Sequence, residues 1–196
     1  RVCGDNNASI WRSISFTTAC IPQDLPLIET FDNEIPLCWT NEHVAGSSTY
    51  VWSISNGQAY MSYQGTGNEV VLMTPHLNVT PNKLHEFSFD YTHTVSASWN
   101  DILQVTLIDG ENRTLLREFT SNDNTATKAT YEFTFLPTTD IVAIEFRTIW
   151  ANGYGMYIDN VRVDEAPDCL PLLNLTATNI QRRAWAGIER RLRVRS

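Results

Sequence analysis

From Leu27 onward, apolar and polar residues alternate in short runs broken by turn residues, and no stretch of helical periodicity occurs before the last sixteen positions. Alternation is clearest in Ala129–Phe135, with apolar residues at odd and polar residues at even positions, and in Leu103, Val105 and Leu107 against Gln104 and Thr106. The pattern predicts strands over Tyr50–Ile54, Gln58–Tyr63, Glu69–Thr74, Leu84–Tyr91, Ile102–Asp109, Thr114–Phe119, Ala129–Leu136, Ile141–Ile149 and Met156–Val163. Asn56-Gly57, Gly65-Thr-Gly67, Asp109-Gly110 and Asn152-Gly153 mark turns. About ten strands with one wet face each predict two packed antiparallel sheets, because a single open sheet would leave its apolar side uncovered.

Two stretches break the pattern. Read as a strand, Tyr157, Asp159, Val161 and Val163 share a face, so a carboxylate lies beside two valines. Leu27, Glu29 and Phe31 repeat the anomaly near the other end. A bare carboxylate on a buried face is costly, so the first and last strands are expected to meet around a shared cation or a polar network. A calcium ion suits hard oxygen ligands, with backbone carbonyls and water completing its shell. The metal-free alternative is a hydrogen-bonded pair, or a partner such as Arg147 or Arg162.

Forty-two per cent of the 196 residues are hydrophobic, enough for one packed core. The formal charge of −8 divides unevenly: residues 1–180 hold 8 basic and 21 acidic side chains, and residues 181–196 hold 6 and 1. An acidic body argues against nucleic acid and anionic membrane as ligands. No run of about 18 apolar residues exists, so no transmembrane segment is expected, and Arg1–Asp5 opens without a signal-peptide apolar region. Cys3, Cys20, Cys38 and Cys169 lie far apart without a C-x-x-C pair, which disfavours zinc and leaves three disulfide pairings. This cysteine usage favours an exported protein, extracellular or on the cell surface. A Cys20–Cys38 bridge would pin the linker to the domain, leaving Cys3 for Cys169 or another strand; the alternative is four thiols.

Residues 1–20 resemble the closing strands of a fibronectin type III module, with a Trp-x-x-x-x-Phe-Thr-Thr ending, and residues 21–26 read as a proline-containing linker. Residues 27–165 form the main domain. Residues 166–180 resemble the start of a further fibronectin-like module, and residues 181–196 form a basic, atypical tail.

Three segments of the main domain resemble the gingipain-type cleaved adhesin family: Glu29-Thr-Phe-Asp-Asn-Glu-Ile-Pro-Leu-Cys-Trp-Thr40, Asn68-Glu-Val-Val-Leu-Met-Thr-Pro-His-Leu-Asn-Val79 and Tyr157-Ile-Asp-Asn-Val-Arg-Val163. The resemblance implies a jelly-roll sandwich of the galactose-binding or MAM-like kind, in a secreted or surface-anchored bacterial protein, with a role in adhesion or substrate targeting. It implies a calcium ion bridging the first and last strands through Glu29 and Asp159, with Asp32 and Asn33 as further candidates. Asn41–Thr49 departs from the Gly-Asp-rich loop of many members, and the MAM cysteine layout is absent.

The histidines show no metal spacing and no nucleophile motif accompanies them. Asp90 alternates opposite to His85 and His93, so these three are expected on the surface without an acid/base role. Trp39 and Tyr91 fall on apolar patterns and are expected in the core. Trp99 and Trp150 fall in polar loops, the second of which also carries Tyr154, and a loop aromatic can stack on a sugar or engage a protein. The expected function is non-catalytic binding of an extracellular protein or glycan, alongside neighbouring modules of the same chain. Alternatives are a carbohydrate-targeting accessory domain of a secreted hydrolase or peptidase, and a structural spacer. A glycan binder should show an aromatic platform with nearby polar groups, a protein adhesin a broader patch, and a spacer neither.

Overall fold

A computed structural model of the protein describes residues 20–94, 100–123 and 125–167, which hold twelve strands and no helix. In chain order these are β1 (Leu27–Glu29), β2 (Thr40–Ala45), β3 (Ser53–Ile54), β4 (Ala59–Met61), β5 (Glu69–Met73), β6 (Leu77–Asn78), β7 (His85–Thr94), β8 (Ile102–Asp109), β9 (Asn112–Phe119), β10 (Ala129–Phe135), β11 (Ile141–Ile149) and β12 (Tyr154–Glu165). One sheet runs β10-β7-β12-β4-β3 with β1 also on β12, and the other runs β2-β5-β11-β8-β9 with β6 also on β11. All the pairings within these sheets are antiparallel. The molecule is a two-sheet antiparallel jelly roll, as the alternation predicts. The fibronectin-like flanks and the basic tail lie outside the described residues.

The inward faces meet through aromatic rings. Phe89 of β7 packs edge-on against Phe146 of β11, with centroids 5.1 Å apart, and Phe87, Tyr91, Phe119, Tyr131 and Phe133 extend the cluster. Offset and edge-to-face pairs of this kind suit the ring quadrupole. Phe31 and Trp39 close one flank at 5.0 Å. Trp39 and Tyr91 are buried, as expected.

A disulfide joins Cys20 to Cys38 across 18 residues. Beyond it, Gln23 donates its N–H to the His76 carbonyl and accepts from the Asn78 N–H, so the linker lies against β6. Cys3 and Cys169 lie outside the described residues.

The last strand departs from the simple alternation. Ile158 faces Tyr91 and Asp159 faces Asp90, but the β7 register slips between Asp159 and Arg162, and Asn160 takes a positive φ of 49°. This bulge reverses the parity of the strand. Met156 and Ile158 point into the core before it, and Val161 and Val163 point in after it. Asp159 therefore does not share a face with the two valines. It shares the outer face with Tyr157.

Candidate functional site

On the outer face of the first sheet, tyrosines from two strands come together. Within β4, Ala59 and Met61 are buried, which turns Tyr60 outward, and Tyr60 pairs directly with Tyr157 of β12. Their rings stack at 4.7 Å with planes 27° apart. Burial, then the neighbouring Tyr157, raises the Tyr60 hydroxyl above its usual pKa, so it stays a neutral donor at physiological pH. Further along the same edge, Tyr63 and Tyr154 meet at 5.2 Å and are 43% and 51% exposed. Gly155 separates the two pairs at a second bulge, with φ of 51°; a Cβ there would stand 3.2 Å from the Tyr157 ring and 3.3 Å from Thr94 Oγ1. Glycine permits both the backbone and the close approach.

Polar groups edge the rings. Lys128 Nζ lies 2.7 Å from Asp159 Oδ2 and 3.2 Å from Asp90 Oδ2, bridging two carboxylates that face each other across β7 and β12. Asp90 also accepts from Thr130 Oγ1 and Asn160 Nδ2, and Asp159 from Gln58 Nε2 and the Asn160 N–H. Partial burial would raise the Asp90 carboxyl, but the hydrogen bonds from Thr130, Asn160 and Lys128 outweigh it and hold it below the usual range. The Lys128 ammonium is raised, chiefly by its hydrogen bond to Asp159. The Lys128–Asp90 ion pair therefore contributes fully between the ordinary carboxylate value of 3.8 and the ordinary lysine value of 10.5, and weakens as pH falls through the depressed Asp90 value or rises through the elevated Lys128 value.

The opposite outer face differs. Register places Val71, Met73, Thr106, Glu145, Arg147, Leu115 and Glu118 there, with an ion-pair ladder running Arg113–Glu145–Arg147–Glu69, and no aromatic ring lies among the described residues of its strands on that side.

The residues singled out from the sequence meet different fates. Trp150 is 1% exposed, with Nε1 donating to Thr148 Oγ1, so it belongs to the core and not to a ligand surface. Tyr154 is exposed in the tyrosine row, and Trp99 lies outside the described residues. His85 and His93 are buried, contrary to the surface expectation. The alternation itself holds, since both point inward while Asp90 points outward.

Glu29 pairs with Val161 and so takes the inward side, where its Oε1 accepts the Phe31 N–H at 2.6 Å. Asp159 lies on the outer side with Lys128, and the partner is neither Arg147 nor Arg162. Asp32 accepts from Thr30 Oγ1, and Asn33 is exposed on the turn that follows. A calcium ion shared by Glu29 and Asp159 does not fit this arrangement, because an ammonium holds the Asp159 carboxylate and Glu29 faces the other side. Among the described residues no three His, Cys, Asp or Glu groups converge. Chelator is expected to leave the melting temperature unchanged. Lys128→Met, which leaves two facing carboxylates without their bridge, should cost about 1 kcal/mol for so exposed a lysine. A chelator-induced drop of several degrees would overturn this account.

Tyr60, Tyr63, Tyr157 and Lys128 escape sequence reading because they come from separate strands and loops. Only the β4–β12 register brings Tyr60 to Tyr157, 97 positions apart in the chain.

No protein-family profile matches the chain, and no curated protein does. Solved structures match the fold. The K1 cleaved adhesin domain of Lys-gingipain from Porphyromonas gingivalis is similar at 18% identity over 73% of this chain and 99% of that one, with a TM-score of 0.53. The xylan-binding module CBM15 is similar at 15% identity over 74% and 99%, with a TM-score of 0.52. A CBM4 carbohydrate-binding module is similar at 17% identity over 70% and 97%, with a TM-score of 0.51. The chain thus has the jelly-roll fold that cleaved adhesin domains and carbohydrate-binding modules share. At these identities the likeness is one of architecture.

Proposed function

We propose that the chain is a non-catalytic glycan-binding module of an exported protein, and that it takes sugar on the outer face of the first sheet. The observation that carries this is the row Tyr60, Tyr157, Tyr154 and Tyr63, lined by Lys128, Asp90, Asp159 and Gln58. Sugar rings present apolar C–H faces and hydroxyl edges, so a partly exposed ring with carboxylate acceptors and an ammonium donor beside it matches both. The carboxylates are held by lysine, amides and hydroxyls in a static network, which suits recognition and not proton transfer. Carbohydrate-binding modules among the structural neighbours, one of them xylan-binding, support the same reading. The Cys20–Cys38 disulfide supports export, and no helix among the described residues is long and apolar enough to cross a membrane.

The test is retention of residues 1–196 in gels containing xylan, β-glucan, galactan or mannan, with immobilised matrix proteins in parallel. The expected result is retention by at least one polysaccharide, weakened about tenfold or more in Tyr60→Ala/Tyr157→Ala. Unchanged retention in that variant would refute the site. Binding only to matrix proteins would favour protein adhesion.

A further inference from the structure

The two tyrosine pairs are held by different means. Tyr60 and Tyr157 sit on hydrogen-bonded strands, whereas the β4–β12 ladder ends at Met61 and Met156, so no β4 pairing fixes Tyr63 beside Tyr154. What stands behind the outer pair is the turn Trp150–Gly153. Trp150 exchanges backbone hydrogen bonds with Gly67 and Asn68 at the start of this turn. Its middle is held by Asp101, which is fully buried and whose Oδ1 accepts the N–H groups of Ala151 at 2.6 Å and Gly153 at 3.1 Å. Between those two donors stands Asn152, with φ of 78°, and its Oδ1 accepts the Tyr63 hydroxyl at 2.5 Å.

The fit around the carboxylate is tight. A Cβ on Gly153 would collide with the Asp101 carboxylate, so glycine is required for the turn to close over it. Behind Asp101, the buried His93 Nε2 stands 3.5 Å from Oδ2, at the outer limit of a hydrogen bond. Burial would raise the Asp101 carboxyl, but the His93 imidazole beside Oδ2 and the hydrogen bonds from the Ala151 and Gly153 N–H groups to Oδ1 outweigh it and hold it below the usual range. A charged group buried this completely needs such partners. Their geometry passes outward through Asn152 to a solvent-exposed ring.

We infer that Asp101 is the positioning residue of the outer tyrosine pair: by clamping the Ala151–Gly153 turn it sets Asn152 to receive the Tyr63 hydroxyl, and so fixes the angle at which Tyr63 and Tyr154 meet a ligand. The inference rests on the tyrosine row being the glycan site. Asp101 touches no ligand itself. Its effect on binding passes through Asn152 and Tyr63, and this separates it from a residue that merely stabilises the fold.

A double-mutant cycle reads that path. Dissociation constants for the retained polysaccharide are measured for the full chain and for Tyr63→Phe, Asp101→Ala and the double variant. Tyr63→Phe and Asp101→Ala are each expected to weaken binding about threefold to tenfold, and the double variant to be no weaker than the poorer single one, because both break the same chain of contacts. Asp101→Asn, which retains an oxygen for the two N–H groups, should bind within about twofold of the native chain. Gly153→Ala, which displaces the turn while leaving the carboxylate, should repeat the loss, and it carries the test with Asp101→Asn if Asp101→Ala does not fold. Fold-changes that multiply in the double variant, or an unaltered dissociation constant in Asp101→Ala or Gly153→Ala, would overturn the inference.

Should the native chain bind no polysaccharide, the glycan reading fails, and the positioning role is decided by ring chemical shifts of labelled tyrosines. Asp101→Ala must then shift Tyr63 and Tyr154 while leaving Tyr60 and Tyr157 in place. Unmoved Tyr63 and Tyr154 signals would overturn it.

Discussion

Trp150→Ala is expected to lower the unfolding free energy by about 3–5 kcal/mol, the range for deleting a buried aromatic ring. The indole is 1% exposed, and its Nε1 satisfies the buried Thr148 hydroxyl. Removal would open a cavity at the end of β11 and strip a hydrogen bond from an oxygen that water cannot reach. Trp150 also exchanges backbone bonds with Gly67 and Asn68, so the cavity would lie next to the turn that Asp101 holds. Urea denaturation followed by circular dichroism measures the change. A loss below about 1 kcal/mol is what a loop tryptophan on the surface would give, and would contradict the burial described here.

Replacing Cys20 and Cys38 together by serine is expected to cost about 3 kcal/mol. In the chain-entropy account, a cross-link closing a loop of this length removes that much freedom from the unfolded chain, and the two half-cystines are 18 residues apart. The loop it closes contains β1 and Phe31, and Trp39 follows Cys38 directly, so relaxing it also loosens the ring pair that covers one flank of the core. Thermal melts with and without reductant offer an independent check. Reduced native protein should melt with the double serine variant, and a difference below about 1 kcal/mol between oxidised and reduced forms would remove the disulfide from the list of main stabilisers.

The all-β architecture was readable because its long strands obey the two-residue period. Ile102–Asp109 and Ile141–Ile149 run as the pattern predicts, and Ala129–Phe135 carries polar residues outward at every second position. Thr40–Ala45 was missed for a definite reason: its inward positions are Asn41 and His43. Asn41 is satisfied by the backbone of Trp52 and His43 by the side chain of Asn68, so the strand carries no apolar alternation to read. The period also misplaced Asp159. One extra residue at the Asn160 bulge reverses all that follows, and a carboxylate that seemed to share a face with valines shares one with Tyr157. Trp150 shows the complementary error, since polar neighbours along the chain say nothing about which way a ring folds. Of the site, Tyr154 was singled out as a ligand contact, and Asp159 only as a metal ligand. Tyr60, Tyr63, Tyr157 and Lys128 are unremarkable in sequence because register and a loop excursion, not local pattern, bring them together.

The pairing of β1 with β12 sets the two ends of the domain side by side, with Leu27 opposite Val163. Tyr154 begins the same strand nine residues earlier, roughly 30 Å away at strand rise. Any polypeptide joined at both ends would therefore come and go at one pole, while the outer tyrosine pair, Tyr63 and Tyr154, lies toward the other. Such a bead could be spliced into a longer chain, or copied several times along it, without pulling its neighbours apart, and each copy would project its rings away from the string. Weak single contacts could then add up through avidity, set by the spacing of the copies more than by the strength of any one of them.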